Sequence, residues 1–218
     1  MKPRLAVAAV LLSAGMPAAA HRLDEYLQST IISVQKDLVR GQLYLTPGVA
    51  VFPMIMASID TDADGAISEA EQRAYTQRVL RDVSLTIDGE RLNLRLVSKN
   101  FPDVAEMKQG RGEIEIEFIA DLPQSGPKRR LIFENHHQTR IGAYLVNCLV
   151  PRDPDIRVTA QKRNYQQSLY ELDYEQAGVG SGPRAGWWSS GLLWIWTAVL
   201  FLLARFTILW RQRALPAE

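Results

Sequence analysis

Residues 60–71 of this chain read Asp60-Thr61-Asp62-Ala63-Asp64-Gly65-Ala66-Ile67-Ser68-Glu69-Ala70-Glu71, and oxygen donors at this spacing suit a hard divalent cation. Calcium takes six to eight oxygen ligands at roughly 2.3–2.6 Å, and a twelve-residue loop supplies them from positions 1, 3, 5, 7, 9 and 12. Asp60, Asp62 and Asp64 offer carboxylates at the first three of these, Ala66 its backbone carbonyl, Ser68 its hydroxyl directly or through water, and Glu71 both carboxylate oxygens. Gly65 at the sixth position permits the sharp turn, and Ile67 at the eighth is apolar. Ser68 and Glu71 also fit a capping box, so the exiting helix starts at Ser68 while Glu71 faces the ion. Without a cation the carboxylates of Asp60, Asp62, Asp64, Glu69 and Glu71 crowd one loop and repel. An ion therefore stabilises the loop and the helices beside it.

Nitrogen donors form a second, sparser set. His21, His136 and His137 are the histidines of the chain, and imidazole suits copper, nickel or zinc. If His21 is the first residue of the mature protein, its α-amine and ring together chelate copper or nickel, with His136-His137 adding ligands from a strand end. Cys148 is the sole cysteine, so the chain forms no internal disulfide, and its apolar setting, Ala143 to Val150, reads as a small hydrophobe in a strand. No G-x-S-x-G elbow, phosphate loop, H-E-x-x-H or C-x-x-C occurs, so the sequence does not read as an enzyme.

The elements that must hold the acidic loop are mostly strands. Glu113-Ile114-Glu115-Ile116-Glu117-Phe118 alternates charged and apolar residues, the period of a strand with one wet face. Ser84–Ile87 and Arg91–Leu96 alternate likewise around Asp88-Gly89, a strong hairpin signal. Tyr26–Val34, Leu38–Leu45, Arg130–Glu134, Ile141–Val150, Ile156–Ala160 and Gln167–Tyr174 read as further strands. Between about residues 51 and 82 the rhythm changes: Phe52, Ile55, Met56 and Ile59 have helical spacing, Pro53 keeps that helix short, and Glu69 to Arg81 is rich in helix formers. The pattern predicts a mainly β chain, an antiparallel β-sandwich with an inserted helix–loop–helix.

This helix–loop–helix resembles the EF-hand, which implies calcium binding at Asp60, Asp62, Asp64, Ala66, Ser68 and Glu71. Gln72 departs from the pattern, since the exiting helix of such a hand usually has an apolar residue there, and no second loop is found to pair with it. More widely, His21-Arg22-Leu23-Asp24-Glu25-Tyr26-Leu27, with the Asp-Thr-Asp-x-Asp-Gly loop after Leu45-Thr46-Pro47-Gly48, resembles uncharacterised bacterial exported domains. In some relatives such a domain precedes a multi-span part similar to nickel-transporter-related HupE/UreJ membrane proteins. Residues 1–218 contain no such multi-span stretch.

The ends of the chain set its expected address. Of 218 residues, 47% are apolar and 22% charged, with 25 basic against 24 acidic side chains, which excludes collagen-like repeats, disorder throughout and a polytopic transporter. A formal charge of +1 gives no basic stripe for nucleic acid. That balance is uneven along the chain: residues 21–186 carry 20 Lys and Arg against 23 Asp and Glu. Residues 1–20 have the basic start (Lys2, Arg4), apolar middle and Ala18-Ala19-Ala20 close of a secretory signal peptide. Residues 21–177 form the expected extracytoplasmic domain, and 178–186, Gly- and Ser-rich, a flexible tether. Residues 187–210 read as a single transmembrane helix with tryptophan margins, Arg205 snorkelling near its end, and Arg211 and Arg213 place the 211–218 tail in the cytoplasm. The expectation is a single-pass protein of a bacterial cytoplasmic membrane whose domain faces the periplasm or extracytoplasmic space and meets an unidentified protein partner there.

Overall fold

The computed structural model describes residues 24–177. The expected signal peptide, His21, the 178–186 tether, the 187–210 span and the 211–218 tail lie outside the described residues. Among the described residues no helix is long and apolar enough to cross a membrane.

The chain is mainly β. In order it forms β1 (Tyr26–Val34), β2 (Leu38–Pro47), α1 (Phe52–Ile59), α2 (Glu69–Asp82), β3 (Val83–Ile87), β4 (Glu90–Arg91), β5 (Arg95–Asn100), α3 (Val104–Lys108), β6 (Ile114–Asp121), β7 (Lys128–Asn135), β8 (Gly142–Cys148), β9 (Ile156–Arg163) and β10 (Leu169–Gln176). They assemble into two five-stranded sheets, ordered β5-β6-β2-β1-β8 and β4-β3-β7-β10-β9. Strict alternation of buried and half-exposed residues along β1 and β2 gives each strand one inward face, as the period of two requires.

All pairings but one are antiparallel. The exception corrects the all-antiparallel expectation: β1 and β8 run parallel, with Tyr26 beside Gly142 and Ile32 beside Cys148. The chain reaches β8 from β7 of the other sheet, through a turn with Gln138 at positive φ, and Tyr26 N–H bonds the Ile141 carbonyl at 2.7 Å where β8 begins. Alternation specifies a strand's inward face and is silent about its neighbour's direction. A second correction concerns Arg91–Leu96, read as one strand. Its first residue ends β4 in one sheet and Arg95 opens β5 in the other, while Leu92 stays buried and its N–H bonds the Leu85 carbonyl at 2.8 Å.

The Asp88-Gly89 signal holds. Both residues have positive φ, 53° and 90°, the pair of values a two-residue type I′ turn demands, and Ile87 pairs with Glu90 across it. Gly41 answers a different need. It sits opposite Phe118 in the β2–β6 ladder, and the Phe118 ring occupies the space a Cβ there would take.

The inward faces of both sheets contribute to a single cluster, in which Leu43, Leu45 and Phe118 of one sheet share the core with Leu85, Phe133 and Leu172 of the other. Each such side chain, fully buried, contributes about 1.5–3 kcal/mol. The helical insertion follows the β1–β2 hairpin and joins the same cluster through Phe52, Ile55 and Ile59 of α1 and Tyr75 and Val79 of α2. Pro53 occupies the first turn of α1, where a missing N–H costs nothing. The acidic loop between α1 and α2 is thus carried on two helices anchored in the core.

Candidate metal centre

Asp60 caps the C-terminus of α1, its N–H bonded to the Met56 carbonyl at 2.8 Å, and only 8% of its surface is exposed. The loop then folds back over this carboxylate. Ala63 and Gly65 take positive φ, 59° and 84°, which aims two backbone N–H groups at Asp60: Asp64 N–H donates to Oδ1 at 3.2 Å and Gly65 N–H to Oδ2 at 2.9 Å. Asp64 N–H also reaches Asp62 Oδ1 at 3.3 Å, and Asp64 Oδ1 accepts the Ala66 N–H at 2.8 Å.

Glu71 closes the loop from α2. Ser68 is the N-cap and forms a full capping box with it: Glu71 Oε2 accepts the Ser68 N–H at 2.9 Å and the Ser68 hydroxyl at 2.8 Å. The other oxygen, Oε1, accepts the Thr61 N–H at 2.6 Å and its hydroxyl at 3.2 Å. One carboxylate therefore ties the start of the loop to the start of α2. These hydrogen bonds hold its pKa at about 2, the Ser68 N–H contributing most, then that of Thr61, then the Ser68 hydroxyl.

Ligand oxygens of Asp60, Asp62 and Glu71 lie within 4.8 Å of one another. Of the remaining expected ligands, the Asp64 carboxylate lies outside that trio, while Asp64 and Ala66 sit on the exposed arc of the loop and Ser68 at its exposed end, its hydroxyl 2.8 Å from Glu71 Oε2. Like charge is felt where they converge. Asp62 has its pKa raised even though the Asp64 N–H pulls it down most strongly, because partial desolvation, the charges of Asp64 and Glu71 and a hydrogen bond shared with Asp60 together outweigh that pull. A divalent cation at this point would neutralise the repulsion directly.

The departure at Gln72 has a local explanation. Its side-chain amide donates to the Ile67 carbonyl at 3.3 Å and accepts from Lys99 Nζ of β5 at 2.9 Å. Lys99 also binds Glu69 Oε2 at 2.8 Å and lowers its pKa. A polar tie to the sheet stands where an apolar contact was expected.

Of the nitrogen set, His136 and His137 lie among the described residues and their rings have different surroundings. His136 is exposed, with its Nε2 3.4 Å from Glu134 Oε2. His137 is buried and has no free ring nitrogen: Nδ1 is 2.7 Å from Asp82 Oδ2 and Nε2 is 3.0 Å from the Tyr75 hydroxyl. Burial lowers its pKa, against the opposing pull of Asp82.

This histidine belongs to a buried chain that sequence reasoning missed. The Tyr75 hydroxyl continues to the Tyr26 hydroxyl at 2.7 Å, and Tyr75 and Tyr26 both meet the imidazole edge-on. The His137 carbonyl accepts from Gln28 and from Tyr144, each at 2.8 Å, and its N–H donates to Asn135. Burial pushes the Tyr26 and Tyr75 phenols up from their ordinary values. The available signal was the inward register of β1, which places the polar side chains of Tyr26, Gln28 and Thr30 on the core face. The buried chain's hydrogen bonds link Tyr75 and Asp82 of α2 to Tyr26 and Gln28 of β1 and Tyr144 of β8, an internal brace between the helix and that side of the sheet. Cys148 is partly buried, and burial raises its thiol to about 11, which keeps it a protonated, apolar group.

No protein-family model matches this chain, and no curated protein matches it.

Proposed function

We propose that residues 60–71 bind one calcium ion, with Asp60, Asp62 and Glu71 as the core of the coordination shell and Asp64, the Ala66 carbonyl and Ser68 completing it. The observation that carries this reading is the convergence of three carboxylates within 4.8 Å in a twelve-residue loop between two helices. Hard oxygen donors, a positive-φ glycine at the sixth position and an acidic residue at the twelfth are what calcium requires, whereas magnesium prefers a rigid octahedron that keeps its waters. We read the loop as an EF-hand working singly, and the two sheets as a β-sandwich that carries it.

The ion's role is structural. It relieves the like-charge contact of Asp62 with Asp64 and Glu71 and joins α1 to α2, both of which are rooted in the core. The proposed setting is a single-pass membrane protein whose calcium-stabilised domain lies outside the cytoplasm and serves as an interaction module. Millimolar calcium in that space suits an extracellular-type affinity, roughly 10⁻⁴–10⁻³ M. Equilibrium dialysis of the full-length chain against ⁴⁵Ca tests the reading: one ion per chain is expected, lost in Asp60→Ala, and no saturable uptake in the unmutated chain contradicts it.

A further inference from the structure

A groove of about 450 Å³ opens where the last turn of α2 passes the segment that crosses from β4 to β5. Its apolar wall is made by Leu80, Leu92, Leu94 and Leu96, and Leu96 is 41% exposed. Arg81 and Arg91, both exposed, line it together with Gln77 and Asn93, and no acidic residue lines it. The grooves around Glu113, Asp173 and Lys36 each contain both signs of charge. This one carries two guanidinium groups and no carboxylate, in a segment (residues 21–186) whose acidic side chains outnumber its basic ones, 23 to 20. Uncompensated arginine beside a leucine wall is complementary to a ligand with an apolar chain and an anionic head.

We propose that this groove binds a single-chain aliphatic carboxylate, its chain along Leu80, Leu94 and Leu96 and its carboxylate meeting Arg81 and Arg91. The volume falls in the small-molecule range, about 300–1,000 Å³. Addition of a protein strand is the less suitable occupant, because β5, the outermost strand on this side, has its register broken between Leu96 and Ser98, and such bulges disrupt edge pairing.

The test is calorimetric titration of the full-length chain with decanoate below its micelle concentration, with EDTA present so that the outcome is independent of calcium. Acetate supplies the charge without the chain, and 1-decanol the chain without the charge. A single saturable decanoate site is expected, with no acetate binding, decanol at least about tenfold weaker, and a similar loss in the Arg81→Gln/Arg91→Gln double variant. Leu96→Asp, which reaches the site from its apolar side, should also weaken decanoate. Unchanged binding in the double variant, equal binding of decanol, or no saturable site overturns the proposal. Arginine-dependent binding of the peptide acetyl-Leu-Glu-Leu-Glu-Leu-amide without decanoate binding overturns it too and assigns the groove to a protein segment.

Discussion

Glu71 Oε1 accepts the backbone N–H of Thr61 at 2.6 Å, so the twelfth residue of the acidic loop is latched to its second. The same carboxylate caps α2 through Ser68. Its four hydrogen bonds fill the lone-pair directions that a bidentate ion contact would use, two of them from hydroxyls that are free to rotate away. Loop closure, helix capping and the proposed ion contact thus pass through one side chain, and each can be disturbed separately.

Replacing Glu71 by Gln removes charge from the site and weakens the latch. Calcium affinity should drop by at least about tenfold, and the chain should also melt at a lower temperature in EDTA. Asp62→Asn separates the two effects: it should weaken calcium binding while leaving the EDTA melting temperature unchanged or raised, because it removes a carboxylate whose pKa the fold raises.

Acid should loosen the ion-free loop in a defined window. Glu71 titrates at about 2 in the folded chain against an ordinary 4.5. The folded state therefore favours the ionised form, and the stability this supplies is complete above about 4.5 and lost as pH falls toward 2. Urea unfolding in EDTA across this range should show that loss, and Glu71→Gln should reduce it.

Ser68→Ala leaves every carboxylate in place but removes the hydroxyl that caps α2 and bonds Glu71. A lost N-cap costs about 1 kcal/mol, measurable as a lower urea midpoint with an unchanged slope.

The buried brace makes a second pH-dependent contribution, opposite in chemical type. His137 has a pKa below the ordinary 6.5 because burial favours the neutral ring. The unfolded chain binds the proton first, so stability should decline as pH falls below about 6.5, and His137→Gln should flatten that decline. Tyr75→Phe would leave both the Tyr26 hydroxyl and His137 Nε2 without their partner, costing about 1–3 kcal/mol at neutral pH.

The Cys148 thiol, raised to about 11 by burial, should react with iodoacetamide at pH 8 far more slowly in the folded chain than in urea. Equal rates would show that the thiol is not shielded.

Much of the scaffold was legible because its signals are local. β1 begins and ends at the expected residues, Tyr26 and Val34, since nine residues of alternation leave little choice of face. Pro53, Ser68 and Glu71 likewise specify where the helices around the loop start. The rest depends on contacts distant in sequence. Nothing in Tyr26–Val34 indicates a parallel neighbour at Gly142–Cys148, and the switch of sheets within Arg91–Leu96 is hidden because the alternation of polar and apolar residues runs unbroken from Arg91 to Leu96. The five residues of α3 span little more than one turn, too short for periodicity to register. The burial of His137 was not legible because its partners, Asp82 and Tyr75, lie 55 and 62 residues away.

The central claim is that Asp60 to Glu71 hold a calcium ion that stabilises the domain, and thermal unfolding of the full-length chain tests it most directly. At 100 times Kd, calcium should contribute about 2.7 kcal/mol, raising the melting temperature by roughly 5–10 °C for a domain of this size, with no rise in Asp60→Ala. An equal melting temperature in calcium and in EDTA, or the same rise in Asp60→Ala, would contradict the account.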